Sequence, residues 1–240
     1  MKWLLPFLAG GTILGAGTVA VDSQIDPYQS KADRYEISDS SVIEDAGEVK
    51  TEVLKNEPAV VFKKWGGEAE MKVRYMGIDP ATPGSRQFLT NRVEWKDSKK
   101  PTEEVHAYPL EKGEGMEDGG IVFELVLLAK PDTNRFCYAL EGAEQFDWFK
   151  QPPLTQEEID GGAFRPDNVV NSYAVYHRTK ANHQEGQTNY ATGKVFHRYR
   201  AQATDASGDK VWGDSEYSNG EICDFIPQSW LDNAVYPVKL

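Results

Sequence analysis

The chain has 240 residues, of which 40% are hydrophobic and 11% are aromatic, a composition that argues for a buried core and against global disorder. Its formal net charge of -12 argues against a general nucleic-acid binder, because displacing counterions from phosphates requires a basic footprint. Cys137 and Cys223 are too far apart in sequence for a zinc motif, so they either form a disulfide in an oxidising compartment or are buried thiols.

The N-terminal segment, residues 1–21, is hydrophobic. Lys2 precedes an apolar run over residues 3–14, and small residues follow as far as Ala20. This order is typical of a secretory signal peptide; the alternatives are an uncleaved anchor and a segment buried in an assembly. We therefore predict an extracellular or cell-surface protein, with membrane attachment through residues 1–20 if the leader is retained. A virion is the alternative location.

Residues 22–57 are polar and acidic. This segment contains ten acids and four bases, so it carries half of the net charge of the chain. We predict a solvated linker that holds the folded part away from a surface. The alternative is an acidic tail that docks on a basic partner.

Short runs of alternating apolar and polar residues follow from Pro58 onwards. The run AEMKVRYM over residues 69–76 shows the alternation of a half-buried strand. Pro and Gly residues separate the runs, as expected for turns. The strand candidates are Ala59–Phe62, Ala69–Met76, Arg92–Lys96, Val105–Leu110, Ile121–Leu128 and Arg135–Leu140.

A short helix is predicted after the Pro152-Pro153 break. Thr155 and Glu158 have the spacing of a capping box, in which each side chain bonds the backbone of the other residue. Gly161 and Gly162 end this helix after barely two turns. Two further strands are predicted over Val169–His177 and Lys194–Ala203, joined by a long polar loop over Arg178–Gly193.

Short strands, many turns and the lack of a long amphipathic helix indicate an all-β protein. We predict an antiparallel β-sandwich of one or two packed units, with a short helical turn. The predicted division is an N-terminal unit over residues 58–150 and a C-terminal unit over residues 151–240.

Four sequence runs carry a resemblance to a known kind of module. They are QPPLTQEEIDGGAFRPDNVVNSYAVYH, TGKVFHRYR, TDASGDKVWGD and IPQSWLDNAVYPV. Together they resemble an uncharacterised β-rich module that recurs in phage-encoded and bacterial surface proteins, over roughly residues 101–238. The resemblance implies a building block of virion or cell-surface proteins, and the secretion-type leader favours the cell surface.

Three histidines lie close together in sequence. His177 ends one predicted strand, His197 lies within the next, and His183 lies in the loop between them. If the two strands pair, His177 and His197 could lie on one face, and the three histidines could bind zinc with help from Glu185 or Asp205. No spacing matches a known ligand motif, so we favour half-buried histidines bonded to the backbone and predict no metal and no cofactor.

Positive charge is concentrated in residues 176–200, which contain five basic residues and one acidic residue. Arg198 and Arg200 share a strand face with Phe196, and two guanidinium groups at this spacing can bind a carboxylate or phosphate. Trp212 and Tyr176 could stack on sugar rings, although such aromatics are usually core or rim. The predicted partner-binding residues are Tyr176, Arg178, Lys180, Phe196, Arg198, Arg200 and Trp212. The alternative is a solvated face whose charges pair with nearby acids.

We predict a non-enzymatic structural or adhesion protein of a cell surface or virion. It would assemble with copies of itself, or with another surface or virion protein, through strand edges and opposite charges. A module that binds an acidic glycan is the alternative function. A histidine-dependent hydrolase or metalloenzyme built on His177 and His197 is a second alternative; no nucleophile elbow or phosphate-binding loop is found.

Overall fold

A computed structural model describes residues 35–37, 41–45, 49–87, 92–110 and 120–240. Within these residues the chain forms antiparallel β-sheets and two short α-helices, which confirms the predicted all-β fold. The hydrophobic segment predicted over residues 1–21 lies outside the described residues. In the part of the chain that is described, no helix has the length and apolar character needed to cross a membrane.

Twenty strands are described. The first ten are β1 Tyr35–Ile37, β2 Ser41–Asp45, β3 Val49–Leu54, β4 Ala59–Lys64, β5 Ala69–Tyr75, β6 Gly84–Gln87, β7 Arg92–Lys96, β8 Glu103–Leu110, β9 Gly120–Leu127 and β10 Arg135–Glu141. The others are β11 Phe146–Lys150, β12 Tyr173–His177, β13 Gln184–Glu185, β14 Thr188–Asn189, β15 Lys194–Arg198, β16 Gln202–Thr204, β17 Lys210–Trp212, β18 Asp214–Ser218, β19 Glu221–Phe225 and β20 Val238–Lys239. The helices are α1 Gln156–Asp160 and α2 Gln228–Leu231.

Two large sheets contain strands from both halves of the chain. An eight-stranded sheet has the order β1-β2-β3-β4-β5-β10-β19-β18, and a seven-stranded sheet has the order β17-β16-β20-β9-β8-β7-β6. A three-stranded sheet, β11-β12-β15, and the hairpin β13-β14 complete the described strands. Because β10 pairs with β19 and β9 pairs with β20, the predicted units 58–150 and 151–240 do not form separate sheets.

The prediction of a solvated linker over residues 22–57 is wrong for β1, β2 and β3. These strands extend the eight-stranded sheet outwards from β4. In β3, Val49, Thr51 and Val53 are buried, whereas Lys50 and Glu52 alternate with them. The high charge of the segment concealed this alternation, because the charged residues occupy the outward positions of a strand whose other face is buried.

The seven-stranded sheet and the three-stranded sheet both pack on the same face of the eight-stranded sheet. Tyr138 and Tyr217 are each paired with Ile222, so their side chains lie on the same face. The Tyr138 ring lies 5.7 Å from Phe123 of the seven-stranded sheet, and the Tyr217 ring stacks 4.4 Å from Trp148 of the three-stranded sheet. The opposing layer of the sandwich is therefore shared by two sheets.

Helix α1 forms at the predicted capping box. The Thr155 hydroxyl accepts from the Glu158 N–H at 3.3 Å, and the Glu158 carboxylate accepts from the Thr155 N–H at 2.7 Å. The helix is exposed on all sides and ends at Gly161. Its local sequence alone accounts for it, since no buried residue anchors it.

Cys137 and Cys223 form a disulfide, which decides between the two alternatives left open by the sequence. The two residues lie directly opposite each other on β10 and β19. The bond joins strands that are 86 residues apart in sequence. It therefore links the two halves of the chain across two neighbouring strands of their shared sheet.

Candidate functional site

An open groove of about 260 Å³ lies where the chain crosses from one large sheet to the other. Strand β17 belongs to the seven-stranded sheet and β18 to the eight-stranded sheet, and only Gly213 separates them. A Cβ atom at Gly213 would lie 2.7 Å from Ile226 Cδ1 and 2.9 Å from the Phe225 carbonyl oxygen, so glycine is required for this close approach. The groove contains two of the seven predicted binding residues, Arg200 and Trp212.

Arg200 is positioned by two contacts. Its Nε donates to the Gly213 carbonyl oxygen at 2.6 Å, and its guanidinium carbon lies 5.5 Å from the centre of the Trp212 ring. Among the described residues, no hydrogen bond or ion pair is formed by Nη1 or Nη2 of this side chain. The guanidinium group is thus held in place while two of its nitrogen atoms remain available to a ligand.

The rest of the groove combines apolar surface with oxygen acceptors. Phe225 and Pro227 provide apolar surface beside Trp212. Asn134 donates through Nδ2 to the Ile226 carbonyl oxygen at 3.1 Å, which leaves its Oδ1 as an acceptor. Asp214 accepts through Oδ1 from Lys150 and from the Ser215 N–H, and its side chain is about half exposed. Such a surface suits a ligand with one flat apolar face, several hydroxyls and an anionic group.

Arg198 does not face outwards with Arg200 as predicted. A β-bulge at Val195 shifts the register of β15 against β12, and Phe196 and Arg198 turn towards the eight-stranded sheet. Arg198 Nη2 bonds Asp224 Oδ1 at 2.6 Å, and Asp224 is only 2% exposed. The prediction of an outward Phe196–Arg198–Arg200 face is therefore wrong, because the bulge brings both Val195 and Phe196 into the core.

The remaining predicted binding residues are dispersed. Arg178 forms an exposed ion pair with Asp147 at 2.9 Å. Lys180 forms an ion pair with Glu68. The hydrogen bond from Lys180 holds the pKa of Glu68 below its usual value, and a hydrogen bond from Tyr190 adds a smaller effect in the same direction. Tyr176 lies on the outer face of the three-stranded sheet. The structure thus favours, for Arg178 and Lys180, the alternative in which these charges pair with nearby acids.

The three predicted histidines do not converge. His177 Nδ1 accepts from the backbone N–H groups of Thr179 and Lys180, and its ring contacts the core at Trp65. His197 pairs with Ala174, on the opposite face of the sheet from His177, so the prediction that the two imidazoles share a face is wrong.

His197 is instead held by Ser172. Its Nε2 lies 2.7 Å from Ser172 Oγ, and that hydroxyl donates to the Val169 carbonyl oxygen at 2.5 Å. Ser172 is fully buried, so its hydroxyl is not accessible to a substrate. The contact anchors the start of β12, and the Ser172 proton is donated to a backbone carbonyl oxygen, not to the imidazole.

The half-buried His197 makes stability depend on pH. Burial, followed by the charge of Lys194, lowers the pKa of His197 to about 4. Unfolded histidine titrates near ~6.5. The unfolded chain therefore binds more protons between these values, and this contribution to stability is complete above about pH 6.5 and is lost as the pH falls towards about 4.

We expect the free energy of unfolding of the wild-type protein to fall more between about pH 7 and about pH 5 than that of the His197→Gln variant. Urea denaturation at the two pH values measures the difference. The matched control is His183→Gln in the exposed loop, which should retain the wild-type pH dependence. Equal pH dependence in His197→Gln and wild type would contradict the assignment.

A charged cluster that the sequence did not predict lies on the outer face of the seven-stranded sheet. Its members are Arg92, Glu94, Lys96, Glu104, His106, Glu124 and Lys239. Burial acts to raise the pKa of Glu94, but hydrogen bonds from Lys96 and Arg92 outweigh it and hold the pKa below its usual value. The alternation in RVEWK and EEVHAY indicates that the charged residues of each strand lie on one face of that strand. Only the pairing of the two strands brings the two charged faces together.

Comparisons with protein families, with curated proteins and with solved structures gave no match to this chain. The resemblance to a β-rich module of phage-encoded and surface proteins therefore stays a prediction.

Proposed function

We propose that this protein is a non-enzymatic adhesion protein of a cell surface, and that it binds an acidic glycan in the groove formed by Arg200 and Trp212. The observation that carries this proposal is the cation–π contact between Arg200 and Trp212. A guanidinium group is held over an indole ring, with Nη1 and Nη2 free of partners among the described residues. The aromatic face suits a sugar ring, and the guanidinium group suits a carboxylate.

The polar rim supports a sugar as the ligand. Asn134 and Asp214 present oxygen acceptors at the groove, where sugar hydroxyls can donate to them. Arg200 supplies the donors for an anionic substituent. The carboxylate of Asp214 disfavours a ligand of high negative charge, so a uronic acid with one carboxylate per ring fits better than a polysulfated chain.

The disulfide supports an exported protein. Such bonds persist in oxidising compartments and are rare in the cytosol. The pairing of Cys137 with Cys223 agrees with the secretory leader that the sequence predicts. Both features favour a protein that acts outside the cell.

Self-assembly through opposite charges has less support. The proposed basic face depended on Arg198, whose guanidinium group is already bound to Asp224 and Ser215. Pairing through the edge strands of the sheets is independent of this charge. Assembly through edge strands, as part of a virion or a surface layer, stays a prediction.

The test is the binding of a polyuronate, with a neutral glucan of the same length as reference, measured by calorimetry. We expect Trp212→Ala to weaken binding of both glycans about tenfold or more, since truncating a hot-spot aromatic typically costs ~2 kcal/mol or more. Arg200→Met should lower affinity for the polyuronate but leave that for the glucan nearly unchanged.

The matched controls are Trp230→Ala and Arg178→Met, which lie outside the groove. Both should bind the polyuronate like the wild-type protein. Polyuronate binding that survives both Trp212→Ala and Arg200→Met would overturn the proposed site. If the wild-type protein binds neither glycan, the proposed ligand class is overturned.

A further inference from the structure

The outer face of the seven-stranded sheet contains a row of ionisable side chains. The register places Glu94 opposite His106 and His106 opposite Glu124, with Glu104 and Lys96 paired in the adjacent row. Trp95 and Val105 lie between these two rows in sequence, and their side chains point to the core on the other face of the sheet. Although this face points away from the core, Glu94 is only 5% exposed and His106 only 6%. The row is therefore a dense, largely desolvated group of side chains, and not a solvated strand face.

The imidazole of His106 lies between carboxylates on both sides. Its Nδ1 is 3.2 Å from Glu124 Oε2, and its Nε2 is 3.2 Å from Glu104 Oε2 and 4.0 Å from Glu94 Oε1. When Nδ1–H donates to Glu124, the Nε2 lone pair faces two carboxylates. A metal-binding histidine commonly has this arrangement, with a carboxylate on the other ring nitrogen that fixes the tautomer and the ring orientation.

A cation already lies between the two carboxylates that face Nε2. Lys96 Nζ is 3.2 Å from Glu94 Oε2 and 3.2 Å from Glu104 Oε2. The Lys96 side chain is 54% exposed, so its ammonium group can move into water without unfolding the strand. Arg92 continues to neutralise Glu94 when Lys96 leaves.

We propose that Glu94, Glu104 and His106 form a binding site for a zinc-class divalent metal ion, that Lys96 is the cation exchanged for it, and that Glu124 orients His106. One imidazole and two carboxylates suit zinc and similar transition metals, whereas magnesium and calcium prefer oxygen ligands alone. This site lies on a different sheet surface from the glycan groove and does not depend on the proposed function.

The spacing of the ligand atoms agrees with this class of ion. The three ligand atoms lie within 4.8 Å of one another. Ligands at ~2.0–2.2 Å from a tetrahedral centre are separated by about 3.4 Å. The two contacts of Nε2, at 3.2 Å and 4.0 Å, are already close to that separation. Small side-chain rotations of Glu94 and Glu104 would complete the geometry.

The other group of potential ligands in the described residues is Cys137, Glu221 and Cys223. Its two sulfur atoms are joined in the disulfide, so neither is a thiolate ligand. The full sequence has no further cysteine. Zinc binding by the oxidised protein would therefore depend on histidine and carboxylate ligands.

The test is a zinc titration of the chelator-treated full chain, in competition with a chromophoric chelator. We expect one zinc ion per chain and tetrahedral absorption bands when cobalt replaces zinc. Glu104→Gln should weaken zinc binding at least tenfold, and Glu124→Gln should weaken it about 10–100-fold through the orientation of His106. Lys96→Met should strengthen binding, because it removes the competing ammonium group.

The control is His183→Gln, which should bind zinc like the wild-type protein. Thermal unfolding in metal-free buffer checks that each variant is folded, and the half-buried Glu104 is chosen first because its replacement disturbs packing least. The proposal is overturned if the wild-type protein binds no zinc, if Glu104→Gln binds as tightly as wild type, or if His183→Gln removes binding. Weaker or unchanged binding by Lys96→Met would contradict the exchange of cations.

Discussion

The Asp224→Ala variant is expected to be less stable than the wild-type protein by about 3 kcal/mol, because it leaves the half-buried Arg198 guanidinium group without its counter-ion. Asp224 is 2% exposed and accepts from Arg198 and from the Ser215 hydroxyl, at 2.6 Å and 2.7 Å. Ser215 also accepts from Arg198 at 2.6 Å, so the three side chains form a closed network. Urea denaturation of both proteins measures the change.

The matched control is the exposed ion pair between Arg178 and Asp147, whose side chains are 53% and 50% exposed. Removing it by Asp147→Ala should change stability by less than about 1 kcal/mol. Replacing both buried partners, as in Arg198→Met with Asp224→Leu, should recover much of the loss, because no unpaired charge then remains buried. Similar losses for Asp224→Ala and Asp147→Ala would show that the buried network does not form.

Removal of the disulfide is expected to have an effect of similar size. The bond closes a loop over a sequence separation of 86 residues, and the lost chain entropy of the unfolded state corresponds to about 4.6 kcal/mol. We therefore expect Cys137→Ala with Cys223→Ala to lower the free energy of unfolding by about that amount. The folded sheet should be retained, since β10 and β19 pair along five residues.

Denaturation with and without a reducing agent provides the control for this prediction. The reductant should destabilise the wild-type protein and leave the double alanine variant unchanged. A loss below about 1 kcal/mol in the double variant would contradict a stabilising role for the bond. An effect of reductant on the double variant would show that the measurement reports something other than this disulfide.

Local patterns were sufficient for much of the fold. The alternation in RVEWK predicted the bounds of β7, and the capping residues Thr155 and Glu158 predicted the start of α1. Both features depend on neighbours within a few residues. For the same reason the all-β class followed from short alternating runs and turn residues.

The binding site was predicted only in part. Arg200 and Trp212 were named, but the sequence grouped Arg200 with Arg198, which the bulge in β15 turns to the core. Strand parity assumes an uninterrupted pleat, and one inserted residue reverses the faces beyond it. His106 was not named, because its carboxylate neighbours Glu94 and Glu124 lie on other strands.

The sequence by itself determined the all-β class, the turns, the capped helix and the excess of negative charge, because each depends on local geometry or on composition. Tertiary structure decided which charges are partnered, which histidines are buried and which strands join the two halves. Those outcomes depend on pairing between distant strands, as between β10 and β19, and no local pattern encodes it. Thus Arg198 bonds the buried Asp224, whereas Arg200, two residues later, borders the groove proposed to bind a glycan.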